Sequence, residues 1–203
     1  MAADDEIRVE QILVSDDVAS APKGNEKKRR GIAGLFFAYK IAGACANEMK
    51  SLDEVKERTE RALANTRTMG VAITPCILPE AGKPTFTIHE DEMEIGMGIH
   101  GEPGITREKL RPVDEIVDVM LEKIVTDLPY SRGDEVSVLI NGLGSTPKEE
   151  LYIAYRRVAQ ILTFSGITIY RPYIGEFATS MEMGGLSITL MKLDDELKRL
   201  LDA

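Results

Sequence analysis

Two histidines occur in the sequence, and they keep different company. His89 lies in the charged run His89-Glu90-Asp91-Glu92, which reads as a solvated loop. One nitrogen ligand without zinc-like spacing gives no metal site there. His100 closes an alternating stretch, with Glu94 on the same polar face and Glu102 two residues beyond. A neutral imidazole held at a rigid strand end can act as a base or as a nucleophile. A carboxylate on its other ring nitrogen, Glu94 or Glu102, can fix the tautomer. Gly96-Met97-Gly98-Ile99-His100-Gly101 also matches G-x-G-x-x-G, the dinucleotide fingerprint, which works when it leads from a strand into a helix. Glu102-Pro103-Gly104 follows instead. The residue before a proline is biased away from helix, and its carboxylate would repel a phosphate. A nucleotide-dependent oxidoreductase thus rests on Gly96 to Gly101 alone, and a turn after Gly101 would remove it.

The remaining motifs are weaker. Gly82-Lys83-Pro84 breaks the Walker pattern, because that motif needs Ser or Thr after the lysine and position 77 is Ile rather than Gly. Asn141 to Pro147 is a glycine loop between a strand and a helix. It can bind an anion at the helix N-terminus, although a simple tight connection explains it more economically.

Several elements must position these residues. Ile7 to Val14 is apolar enough for one strand. Lys27 to Arg30 reads as a solvated basic turn before a small-residue helix, Gly31 to Ala46. That helix, interrupted by Lys40, falls short of the roughly 20 residues needed to cross a bilayer. Ser51 and Glu54 have capping-box spacing for a second helix fading near Gly70. Strands follow at Val71 to Ile77, Thr85 to Ile88 and Glu92 to His100, the last alternating Met93, Ile95, Met97 and Ile99 against Glu94, Gly96, Gly98 and His100. A helix carries Val113, Ile116, Val117, Met120, Leu121, Ile124 and Leu128. Glu135 to Ile140 is a strand. Thr146 as N-cap, Pro147 at N1 and Glu149 at N3 open the next helix, which Gly166 ends. Strands Ile167 to Ile174 and Leu186 to Leu193 and a short helix Asp194 to Leu201 close the chain. The class is α/β, with a boundary near Gly70 separating residues 1–69 (one strand and two helices) from residues 70–203.

Composition narrows the function. Hydrophobic residues are 43% and charged residues 29% of the 203, which is ordinary globular usage and argues against disorder. The net charge is −9, and nucleic acid would require a basic face. Cys45 and Cys76 cannot build a disulfide framework and suit a reducing, cytoplasmic setting. The acidic start lacks the apolar core of a signal peptide.

The chain resembles the dihydroxyacetone kinase family, specifically its dihydroxyacetone-binding subunit or domain. The resemblance runs through Arg29 to Gly34, Lys40 to Ala44, Pro75-Cys76, Pro79 to Pro84, Glu92 to Gly104, Asn141 to Pro147, Tyr173 to Gly185 and Leu193 to Glu196. It implies that His100 adds to the ketone carbonyl and holds the substrate as a covalent hemiaminal, with Gly96, Gly98 and Gly101 letting a three-carbon substrate approach the backbone. It also implies that this chain binds no cofactor. ADP or ATP with Mg is expected on a separate helical subunit, which in one branch is recharged by the phosphotransferase system. The family's binding domain begins with a further segment carrying a Gly-His-Glu-Pro loop, a second histidine and an acid/base aspartate. That segment has no counterpart here, and Asp16 and Asp17 match a later family position.

The implied fold is a mixed-sheet α/β sandwich, residues 70–203, preceded by the last strand and helices of a first α/β domain. The implied function is part of a split substrate-binding subunit that needs a companion chain for catalysis. The companion would bury a large apolar interface against Ile7 to Val14 and Gly31 to Ala46. Two alternatives remain: a regulatory module that binds dihydroxyacetone without turnover, and a kinase subunit for another short ketose such as erythrulose.

Overall fold

The structure is a computed structural model that describes residues 5, 7–80 and 82–203. Five helices are described: α1 (Leu35–Asn47), α2 (Leu52–Ala64), α3 (Val113–Asp127), α4 (Lys148–Phe164) and α5 (Asp195–Asp202). The strands are β1 (Thr66–Ala72), β2 (Ile77–Leu78), β3 (Lys83–Pro84), β4 (Glu92–Ile95), β5 (Thr106–Lys109), β6 (Glu135–Gly142), β7 (Thr168–Gly175) and β8 (Gly185–Leu193). Six of them form one mixed sheet in the order β5-β4-β1-β8-β6-β7, in which only β6 and β7 run parallel. β2 and β3 form a separate small hairpin.

The sheet is the middle of three layers, and side-chain alternation decides what each face meets. Val136, Val138 and Ile140 of β6 and Leu186, Ile188 and Leu190 of β8 point to one face. There they pack with Met69 and Val71 of β1 under the apolar stripes of α3 (Val117, Met120, Ile124) and α4 (Leu151, Ala154, Val158). Leu139, Met191 and Leu193 point to the other face, against Phe37 and Ile41 of α1, Ala62 of α2 and Leu197 and Leu200 of α5. Central strands buried on both faces read as nearly unbroken apolar runs, as β6 and β8 do. A third, smaller cluster of Ala72, Cys76, Met97, Leu143 and Met183 lies beyond the end of β1.

Several boundaries differ from the sequence reading. Residues 7–14 form no strand. They run extended along α2, tied by Arg8 to Asp53 and Glu10 to Lys56, and make no backbone hydrogen bond to another described segment. α1 begins at Leu35 rather than Gly31, because the Asp16 carboxylate accepts from the Ile32 and Gly34 N–H groups and holds that turn against the preceding chain. α2 has the expected capping box, with the Ser51 hydroxyl accepting from Glu54 N–H and the Glu54 carboxylate from Ser51 N–H. It stops at Ala64, and β1 then runs unbroken through residue 70 to Ala72, short of Ile77. Lys83–Pro84 is strand, but Thr85 to Ile88 is not. α4 begins at Lys148, one residue late, with Pro147 in the capping position. Thr146 does not cap it: its hydroxyl donates to Gly185 O and accepts from Gly185 N–H.

Candidate functional site

The strand that leads to His100 is shorter than its alternation suggests. β4 pairs with β1 through Ile95 opposite Val71, and with β5 through Ile95 opposite Thr106. It ends there because Gly96 takes φ +83°, a left-handed conformation that turns the chain out of the sheet. Residues 96–104 then form a loop, closed at its base where Ile105 N–H donates to Ile95 O at 2.7 Å. Met97 drops into the small cluster with Cys76, Leu143 and Met183 and pins the loop from below. Gly98 N–H donates to Glu102 O, Gly101 N–H donates to Gly98 O, and Gly101 takes φ +85°. His100 therefore stands on the loop, not at a strand end.

Of the two carboxylates considered for the ring, Glu102 is the one that holds it. Its Oε1 lies 3.1 Å from His100 Nδ1, and its Oε2 accepts from His100 N–H at 2.9 Å. With Nδ1–H donating to Glu102, the lone pair is on Nε2. The His100 side chain is 79% exposed. Partial burial pushes the Glu102 carboxyl up, but hydrogen bonds from its own N–H and from His100 outweigh this and leave it below the ordinary range. Glu94 lies elsewhere. It accepts from Gly104 N–H at 2.8 Å and from Arg107 Nη2 at 2.6 Å, so it fastens the far leg of the loop. Burial raises its carboxyl also, and Arg107 with the Gly104 N–H brings it down overall.

Protein atoms already occupy the space beside the three glycines. A Cβ on Gly96 would sit 2.7 Å from Ala19 Cβ, and one on Gly101 would sit 2.8 Å from Thr85 Oγ1. One on Gly98 would overlap the Glu102 carboxylate and approach Arg30 Cζ at 3.1 Å. At these positions the bare backbone serves the winding of the loop itself.

Sequence reasoning missed the residues beneath the loop. The supposedly solvated run Lys27 to Arg30 ends in two buried or half-buried arginines. Arg29 is 5% exposed and grips Asp127 at the end of α3 through both Nη atoms. Arg30 donates to Asp17 Oδ2 and to Gly96 O, each at 2.5 Å, and to Pro103 O at 3.3 Å. Asp17 is fully buried, and burial pushes its carboxyl up to about 6 even with Arg30 beside it. No local spacing could have revealed a pair that meets a loop 66 positions later.

The other candidates are not at this site. His89 is exposed. Asn141 is a brace: its amide donates to Ala178 O and Ser187 Oγ, and its carbonyl accepts from the Phe177 and Ala178 N–H groups. Coil, not helix, follows Gly101, so the fingerprint lacks the helix N-terminus that would hold a pyrophosphate. The oxidoreductase reading is removed on that ground.

Known proteins match this arrangement along the whole chain. A family model described as the Dak1 domain covers residues 1–203. The chain belongs to the Dak1 domain family. This Dak1 chain is 51% identical over 202 residues to the dihydroxyacetone-binding subunit DhaK of PTS-dependent dihydroxyacetone kinase 2 of Listeria innocua, covering 100% of the chain and 60% of the relative. It is 43% identical over 197 residues to the L-erythrulose kinase of Pectobacterium atrosepticum, covering 95% of the chain and 33% of that protein. Among solved structures it superposes on the dihydroxyacetone kinase operon co-activator Dha-DhaQ with a TM-score of 0.89 at 32% identity, over 99% of the chain and 62% of the other. With the dihydroxyacetone kinase of C. freundii the TM-score is 0.82 at 31% identity, over 98% of the chain and 36% of the other. The Dak1 chain spans about 60% of the length of the two Listeria innocua relatives.

Proposed function

We propose that this chain is part of the substrate-binding subunit of a dihydroxyacetone kinase, holding the ketone covalently on His100. The observation that supports this most is the Glu102 carboxylate on Nδ1 of an exposed imidazole, which leaves Nε2 as a free nucleophile. In the step, the Nε2 lone pair forms a bond to the carbonyl carbon, and the carbonyl π pair moves onto oxygen. That oxygen takes up a proton while the Nδ1 proton leaves by way of Glu102. The product is a neutral hemiaminal, and no oxidant or leaving group is required. Such a bond retains a small polar molecule that offers little surface for ordinary binding. It also separates ketones from glycerol, which has no carbonyl to attack.

On this reading the chain anchors but does not phosphorylate. A companion chain with the Gly-His-Glu-Pro loop supplies the acid/base, and a helical subunit carries ADP or ATP with Mg. Residues 7–14 support the companion. Ile7, Val9 and Leu13 are 59%, 61% and 87% exposed beside backbone groups that no other described segment pairs, a template for a strand from another chain. Erythrulose is a substrate of the same kind, and two relatives are named erythrulose kinases.

Native mass analysis of the chain after incubation with dihydroxyacetone, comparing wild type with His100→Ala, tests the anchor. The wild type is expected to retain one ketone and the variant none, and equal retention overturns the role of His100. A second reading, a ketone-binding regulator without turnover, draws on the likeness to the operon co-activator. Ketone retention without phosphorylation in the fully reconstituted complex would favour it.

A further inference from the structure

Three groups hold the His100 loop, and two of them are local. Glu102 and Glu94 lie within or just before it and fasten His100 and Gly104. The third comes from outside the β4–β5 hairpin. The Arg30 guanidinium donates through Nη2 to Gly96 O, at the foot where the loop leaves β4, and through Nη1 to Pro103 O, at the foot where it returns. One planar group therefore spans both feet and sets the distance between them. A guanidinium does this because its donors form a rigid fork, whereas an ammonium is a point charge on a flexible stem.

The fork is itself fixed. Its Nε donates to Asp17 Oδ2, and the other Asp17 oxygen accepts from Ala19 N–H at 2.9 Å. The Arg30 backbone is held from both sides: its N–H donates to Ser20 Oγ, and its carbonyl accepts from Asp17 N–H. Between the feet the guanidinium also borders Gly98, on the side where the Glu102 carboxylate lies. Any slack in Arg30 is thus passed to the two residues that orient the ring.

We propose that Arg30, braced by Asp17, is a positioning residue that sets the His100 loop for attack on the ketone. The inference rests on the hemiaminal reading, since the geometry it preserves is that of His100 Nε2 toward a carbonyl. Displacement of a reacting group by about 1 Å can cost on the order of a hundredfold in rate.

The test uses the full chain labelled with nitrogen-15 histidine. The two imidazoles give separate signals, and exposed His89 outside the loop reports on the fold. In the wild type, His100 is expected in one tautomer with the proton on Nδ1. Arg30→Gln is expected to average its tautomers and to weaken dihydroxyacetone binding by about tenfold, with the His89 signal unchanged. Arg30→Lys, which keeps the charge beside Asp17 but loses the fork, is expected to fall between them. An Arg30→Gln chain with the wild-type ring signature and ketone affinity within about twofold overturns the proposal. If Arg30→Gln does not fold, Arg30→Lys decides, and a wild-type ring and affinity there overturn it equally. A wild-type chain that takes up no ketone, while Arg30→Gln still averages the His100 tautomers, supports the clamp and sinks the hemiaminal reading instead.

Discussion

Glu102 concentrates the chemistry of the loop in one side chain. One oxygen takes the ring proton and the other takes the backbone N–H of the same histidine, so ring and main chain move together. Glu102→Gln keeps the size but replaces one acceptor oxygen with a donor amide, which cannot satisfy Nδ1–H and the backbone N–H together. The expected result is a His100 ring that samples both tautomers, and a roughly tenfold weaker retention of dihydroxyacetone, in line with loss of a charged hydrogen bond. Titration calorimetry with the ketone and nitrogen-15 shifts of the ring measure the two effects. His100 and Glu102 were legible in the sequence because they interact across two positions. Arg30 and Asp17 were not, because a half-buried charge pair leaves no periodicity. The basic run around Arg30 resembled a solvated turn for the same reason: burial is decided by what folds over a residue, not by its neighbours in the chain.

Among the elements, the last turn of α3 carries the most strained electrostatics. Asp127 ends that helix, where a negative charge opposes the helix dipole. Arg29 from the loop before α1 and Arg67 from β1 both close on it. Burial raises its carboxyl, but the two arginines outweigh this and hold it below the ordinary value of 3.8. The stability it supplies is therefore present above pH 3.8, its unfolded value, and is lost as pH falls through the lower folded value. Asp127→Asn is expected to cost about 3 kcal/mol at pH 7, because it leaves a buried arginine without its anion. The gap between wild type and variant should close as pH drops below about 4. Urea unfolding at a series of pH values gives both numbers, and a gap independent of pH contradicts the assignment. The same elements show what a sequence can encode. α2 was readable because Ser51 and Glu54 lie one turn apart and their capping bonds are local. β4 was read too long because alternation continues through Gly98 to His100, while Gly96 leaves the sheet by its φ. Ile7 to Val14 has the apolar content of a strand, but a strand also needs a partner edge, and among the described residues none reaches it.

At the scale of the molecule, the α/β/α layering leaves one face unfinished. The extended segment 7–14 and the outer face of α1, with Tyr39 70% exposed, present apolar surface next to unpaired backbone. If a companion chain completes the site, amide exchange at residues 8–14 should be fast in the isolated chain and at least tenfold slower in the reconstituted complex. The central strands β6 and β8 should stay equally protected in both. Unchanged exchange at 8–14 would place the companion elsewhere. The sheet's own margins bear on where assembly can occur. Its outer strands are β5, with the sequence Thr106-Arg107-Glu108-Lys109, and β7, which carries Pro172. Charged side chains along one rim and a residue without an N–H on the other are poor templates for further strands. A crowded solution of these chains would find little to stack on at either rim. The adhesive surface is confined to residues 7–14, so the risk of clumping when the chain is made in excess and the chance of meeting its intended partner are concentrated in the same short stretch.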